Sequence, residues 1–169
     1  DLAIEARLVI SAVGAYTNSW IAALGGRLSV PLLKATNVVT RRPAGPVALG
    51  APTSGGRLLL IMPWHGRALV GTSHSEGPVE AGDSSVSRAE LASFIDEINS
   101  AFPALALTAG DVTLVHRGVV PAERYRNGAF GLMAHHRVVD HRDDGVDGAL
   151  SVLGVKYTTA RGVAEQVVD

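Results

Sequence analysis

Residues 150–161 read LSVLGVKYTTAR. Leu150 to Leu153 have the length and apolarity of a short buried strand. Gly154 opens a turn that reaches Thr158, and a final helix is expected over residues 159–168. Free backbone N–H groups at a helix start attract electron-rich oxygens. Lys156, beside them, adds positive charge. Two readings stay open. One is an ordinary helix cap followed by an exposed lysine, which local physics favours. The other is a seat for an anion or for the polarised edge of a ring.

Working back along the chain, Phe130 to Met133 and Val138-Val139 suggest a strand, followed by a loop over residues 141–148. Residues 112–116 read as another strand. The clearest helix spans residues 88–102. Ser87 caps it and Glu90 completes a capping box. Its apolar residues Leu91, Phe94, Ile95, Ile98 and Phe102 fall at helical spacing, and Pro103 marks the exit. Residues 57–64 form a strong strand, and His65-Gly66 suits a hairpin turn into residues 67–72. Residues 77–85 read as a polar loop. Residues 41–56, rich in Pro, Gly and Ala, read as loop with a short strand at most. Residues 28–39 give one or two strands. At the start, residues 3–13 read as a strand whose run Leu8-Val9-Ile10 is continuously apolar, as burial on both faces requires. Gly14 ends it. A helix over residues 16–24 follows, with Trp20, Ile21 and Leu24 on one face and Gly25-Gly26 as its stop. The ends of the chain therefore read as α/β pieces. The middle reads as a largely antiparallel sheet with one amphipathic helix, so the fold class is mixed α/β.

Composition narrows the function classes. The 169 residues are 47% hydrophobic and only 18% charged, which allows a sizeable core and excludes a disordered chain. A net charge of −1 offers no basic field for nucleic acid. Without cysteine there are no disulfides, thiolate metal sites or cysteine nucleophiles. No apolar run approaches the roughly 18 residues of a membrane helix. The first residue is Asp1 rather than Met, and the expectation is a truncated or excised piece.

Other candidate groups are less specific. Trp64 and His65 at a hairpin tip suit either a ligand or a plain surface turn. The histidines lack the i, i+4 spacing of a zinc peptidase, and no metal site is expected. Arg117, Arg124, Arg126, Arg137 and Arg142 flank the last strands, and an arginine fork suits carboxylate or phosphate. LGGRLS at residues 24–29 is not the GxGxxG dinucleotide fingerprint, because no suitable strand precedes it and no helix follows.

Taken in order, these segments resemble the C-terminal half of FAD-dependent glycerol-3-phosphate dehydrogenases and related members of the D-amino-acid-oxidase-like superfamily. LVISAVGAYTNSW at residues 8–20 resembles the family's VINAAGPWVD strand. LLKATNVVT at residues 32–40 is similar to KGSHIVV, and IMPWHGRALVGTSH at residues 61–74 to IPWEGRTLIGTTD. VHRGVVPA at residues 115–122 resembles AGVRPL, and VVDH at residues 138–141 stands where the family has SRDH. LSVLGVKYTTAR stands where the family has LSVFGGKLTTYR.

The resemblance implies a flavoprotein that moves a hydride from a CH–OH or CH–NH donor to FAD. It implies part of an FAD-binding lobe at residues 1–25 and 127–169, with a substrate-binding lobe at residues 26–126. The family's GxGxxG segment would precede Asp1, so the FAD site is expected to be incomplete and the chain alone inactive. Gly14, Ala15, Gly154, Val155, Lys156, Tyr157 and Thr158 would hold the cofactor. Lys156 would be catalytic and would approach the substrate together with Asn37 and Arg137. The departures are Asn37 for the family histidine, His74 for an aspartate, and Val120 and Val139 for two arginines that help to hold phosphate. Valine donates no hydrogen bond, so a substrate other than glycerol 3-phosphate is expected. Arg137, two residues from Val139, keeps the same strand face and is the expected substitute. The alternative is a non-catalytic subunit or binding module of a flavoenzyme. A small-molecule substrate and no nucleic acid are expected, with a cytoplasmic location. Peripheral membrane contact of the full-length protein and self-association stay open.

Overall fold

A computed structural model describes residues 4–169. Residue 3, where the first strand is expected to begin, lies outside the described residues. The chain divides into two compact units. The first holds the described residues up to Leu33, together with Glu76–Ala81 and Val119–Asp169, and the second holds Lys34–Ser75 and Gly82–Gly118. The fold is mixed α/β.

The second unit carries a mostly antiparallel sheet. Its strands are β2 (Leu32–Thr40), β3 (Leu49–Pro52), β4 (Leu58–Trp64), β5 (Arg67–His74) and the start of β6 (Val112–Arg124), in the order β3-β4-β5-β2-β6. The β4–β5 hairpin turns at His65 and Gly66, both at positive φ (47° and 73°). Two residues of left-handed conformation match the twist of the flanking strands. Helix α2 (Arg88–Ala101) packs on the sheet. Phe94, Ile95 and Ile98 meet Val38, Leu59, Ile61 and Val70 in one core. The capping box is present, with Ser87 accepting from the Glu90 amide and Glu90 accepting from the Ser87 amide. Glu90 also pairs with Lys34, a nearly buried lysine of β2 whose ammonium donates to the Ser85 carbonyl at 2.7 Å. The lysine's charge is thereby compensated where burial would otherwise penalise it.

The first unit is built on the sheet β1 (Val9–Ser11), β9 (Ala149–Leu153) and β8 (Arg137–Asp140), with β9 central. β1 runs parallel to β9 and β8 antiparallel to it. Ala149, Ser151, Val152 and Leu153 of β9 are buried, in keeping with its apolar run. Helices α1 (Thr17–Ala23) and α3 (Ala160–Val168) and a short strand β7 (Phe130–Leu132), paired with the end of β6, complete the unit. Val30, Met133 and Leu153 form its small core.

Three features differ from the sequence expectation. Leu8-Val9-Ile10 is not buried on both faces: Val9 is 46% and Ile10 42% exposed. Among the described residues β1 pairs only with β9, so it is an edge strand and only its Ser11 is buried. The buried residues of α1 are Thr17 and Ile21, while Leu24 is exposed. In addition, the strand suggested by residues 130–139 is two strands, β7 and β8, separated by a crossing segment.

Candidate active site

The central strand β9 ends at Gly154, whose φ of +68° reverses the chain. Glycine is required there twice over. An L side chain rarely adopts this φ, and a Cβ would stand 3.1 Å from the His135 carbonyl oxygen and from the Met133 side chain. The turn then presents Val155, Lys156 and Tyr157. The backbone N–H and hydroxyl of Thr159 both donate to the Lys156 carbonyl, at 3.0 and 3.2 Å, which sets the turn against the start of α3.

Within the first unit this turn borders a cavity of about 680 Å³. Ile10, Ala12 and Gly14, from β1 and the turn after it, line one part. Val119, Val120 and Pro121 of β6 line another. Ala160, Val163, Ala164 and Val167 of α3 supply a third wall, at the i, i+3, i+4, i+7 spacing of one helix face. Lys156 is the one charged residue of the lining. Its ammonium donates to the Ala134 carbonyl at 3.2 Å.

Gly14 also has positive φ (+58°), with open space where a Cβ would stand. The Thr17 hydroxyl donates to the Gly14 carbonyl at 2.8 Å. Asn18 makes a reciprocal pair with Val30, its amide donating to the carbonyl at 2.8 Å and its oxygen accepting from the N–H at 2.9 Å. These bonds hold the strand-to-helix turn at the cavity wall.

Of the residues named from the sequence, Gly14, Gly154, Val155, Lys156 and Tyr157 share this cavity, with Tyr157 fully exposed at its rim. Ala15 and Thr158 adjoin lining residues without lining it themselves. Arg137 is exposed on β8 and is not part of the lining. Asn37 belongs to the second unit. Gly71 and Thr72 together oppose it in an irregular β2–β5 pairing, and Thr72 donates to its side-chain oxygen at 2.9 Å. Val120 lines the cavity, whereas Val139 packs against the Val30, Met133 and Leu153 core. Of the two valines, only Val120 therefore stands at the cavity wall. Trp64 stacks edge-on with His65 (4.8 Å) and His116 (5.7 Å) in the second unit.

A buried polar group lies on β9 as well. His141 is fully buried, with its ring nitrogens 3.2 Å from Asp144 Oδ2 and 2.8 Å from Ser151 Oγ. The composition matches a hydrolytic triad, but Ser151 is itself fully buried and cannot meet a substrate. The group instead fixes the β8–β9 connection, where the His141 carbonyl accepts from Asp144 and Val146.

The lining fits the flavin end of FAD. Apolar walls suit the ring faces, a single cation suits a ring edge that gains negative charge, and the bare Gly14 permits close approach.

A family model described as FAD dependent oxidoreductase matches residues 2–169. A glycerol-3-phosphate dehydrogenase of Synechocystis is 36% identical over 115 residues, covering 67% of this chain and 21% of that protein. Among solved structures, glycerol-3-phosphate dehydrogenase from Bacillus halodurans complexed with FAD aligns over 98% of this chain and 32% of its own, with TM-score 0.77 and 23% identity. Glycine oxidase from Geobacillus kaustophilus aligns over 89% of this chain and 36% of its own, with TM-score 0.63 and 21% identity. The two structural likenesses establish a shared fold. The chain thus spans between 21% and 36% of the length of these proteins.

Proposed function

The chain belongs to the FAD-dependent oxidoreductase family, and from that premise we propose that it supplies the flavin-edge wall and the catalytic lysine of an enzyme oxidising a CH–OH or CH–NH bond. FAD, when bound, supplies the hydride acceptor. Lys156 holds positive charge at the ring edge, where negative charge develops on reduction. In this reading the backbone amides of residues 154–158 face the same edge, and Gly14 allows close approach. Arg137, exposed on β8, is a proposed substrate contact of the first unit, and Asn37 is a proposed contact within the second.

The observation that carries this reading is the meeting of Gly14, Gly154 and Lys156 on one apolar cavity. Val120 in that cavity supports a substrate that does not depend on a phosphate. A guanidinium at this position would contribute charge-assisted bonds worth about 1.5–3 kcal/mol each.

The test is anaerobic mixing of the protein, in the full form its gene encodes, with hydroxy acids, amino acids and glycerol 3-phosphate. A bound yellow flavin bleached fastest by a donor without phosphate is expected. Lys156→Ala is expected to slow bleaching about a hundredfold, the scale of losing one preorganised charge-stabilising donor. A purified protein without flavin would contradict the reading.

A further inference from the structure

The segment between β7 and β8, residues 133–136, crosses the Gly154 turn. Met133 anchors it in the small core of the first unit. The His135 carbonyl and the Met133 side chain occupy the space that a Cβ on Gly154 would need. At its far end His136 Nε2 lies 3.0 Å from Gln166 Oε1 of α3. The Ala134 carbonyl accepts from the Lys156 ammonium at 3.2 Å, and the Ala134 N–H donates to Glu123 Oε1 at 3.1 Å. Glu123, on β6 and half-buried, is therefore connected to Lys156 through the backbone of one residue.

We propose that Glu123 is a positioning residue for Lys156. By accepting the Ala134 N–H it fixes the segment whose carbonyl sets where the lysine ammonium stands at the cavity wall. The inference rests on the flavin reading of that cavity. A lysine side chain has four rotatable bonds, and a fixed acceptor is what selects one position among many. The Ala134 N–H needs only an acceptor oxygen. A glutamine at 123 supplies one, an alanine supplies none, and an aspartate keeps the charge but falls one methylene short.

The experiment is the midpoint potential of the bound flavin in the full-length, FAD-loaded protein, with thermal unfolding measured alongside. A cation at the ring edge favours the reduced flavin, so Lys156→Ala shifts the reduction equilibrium toward the oxidised form. Glu123→Ala is expected to shift it the same way, at least fivefold, with flavin content unchanged. Glu123→Gln is expected to match the unaltered protein and Glu123→Asp to follow Glu123→Ala. If Glu123→Ala does not fold, the comparison of Glu123→Gln with Glu123→Asp decides alone. An unshifted Lys156→Ala protein defeats the flavin reading itself. A shifted Lys156→Ala beside an unshifted Glu123→Ala overturns only the role of Glu123, and so does a Glu123→Gln protein that behaves like Glu123→Ala.

Discussion

Single residues carry the chemistry, and they divide by how they are held. Gly154 is held by backbone conformation. A substitution to alanine forces a Cβ into the left-handed region, at about 1–2 kcal/mol, and against the His135 carbonyl. Gly154→Ala is therefore expected to lower the unfolding free energy measured by urea titration by at least that amount and to loosen the Lys156 turn. Glu90 is held by charge. Its hydrogen bond from Lys34, then that from the Ser87 amide, lowers its pKa from 4.5 to about 2. A carboxyl with a depressed folded pKa contributes stability that is fully present above its unfolded value. That contribution is lost as pH falls from about 4.5 toward about 2. Denaturant titrations across that window are expected to show the loss in the unaltered protein and a flatter profile in Glu90→Gln. The strand, the glycine turn and the helix start around Lys156 were legible in the sequence, whereas a role for the lysine came only from the family resemblance. Glu123 was not legible. Its bond goes to a backbone amide eleven residues away, and backbone partners leave no mark on residue type.

Elements show why the helices were easier to read than the strand edges. The spacing of Phe94, Ile95 and Ile98 and the Ser87–Glu90 box describe α2 completely, because an amphipathic helix needs only its own periodicity and caps. Ile98 is fully buried among the sheet residues, so Ile98→Ala is expected to destabilise the protein by about 2–5 kcal/mol in denaturant unfolding. β1 behaves differently. The apolarity of Leu8-Val9-Ile10 was legible, but burial depends on what lies beside a strand, which the strand does not encode. The α3 wall was available as a helical spacing at Ala160, Val163, Ala164 and Val167, yet only the folded arrangement shows that this face looks onto the cavity. At the β8–β9 connection, Ser151→Ala removes the partner of a buried imidazole. A cost of about 1–3 kcal/mol in unfolding free energy is expected, since a buried polar group left without a partner keeps its desolvation penalty.

At the scale of the molecule, each unit has its own core. The first joins β1, β9 and α3 around the cavity with Lys156. The second holds α2 on an antiparallel sheet that carries Asn37. Among the described residues, no helix is long and apolar enough to cross a membrane. Family membership covers the chain from residue 2 to residue 169, and the chain matches only part of the length of its relatives. The turn from Gly154 to Thr158 is the proposed seat of the flavin edge. A crystal structure of the full-length protein with FAD tests it most directly. The pyrimidine edge of the ring is expected within hydrogen-bond distance of the amides of residues 154–158, with the Lys156 ammonium beside it. A flavin bound elsewhere, with Lys156 turned to solvent and the cavity of the first unit filled by other protein groups, would contradict it.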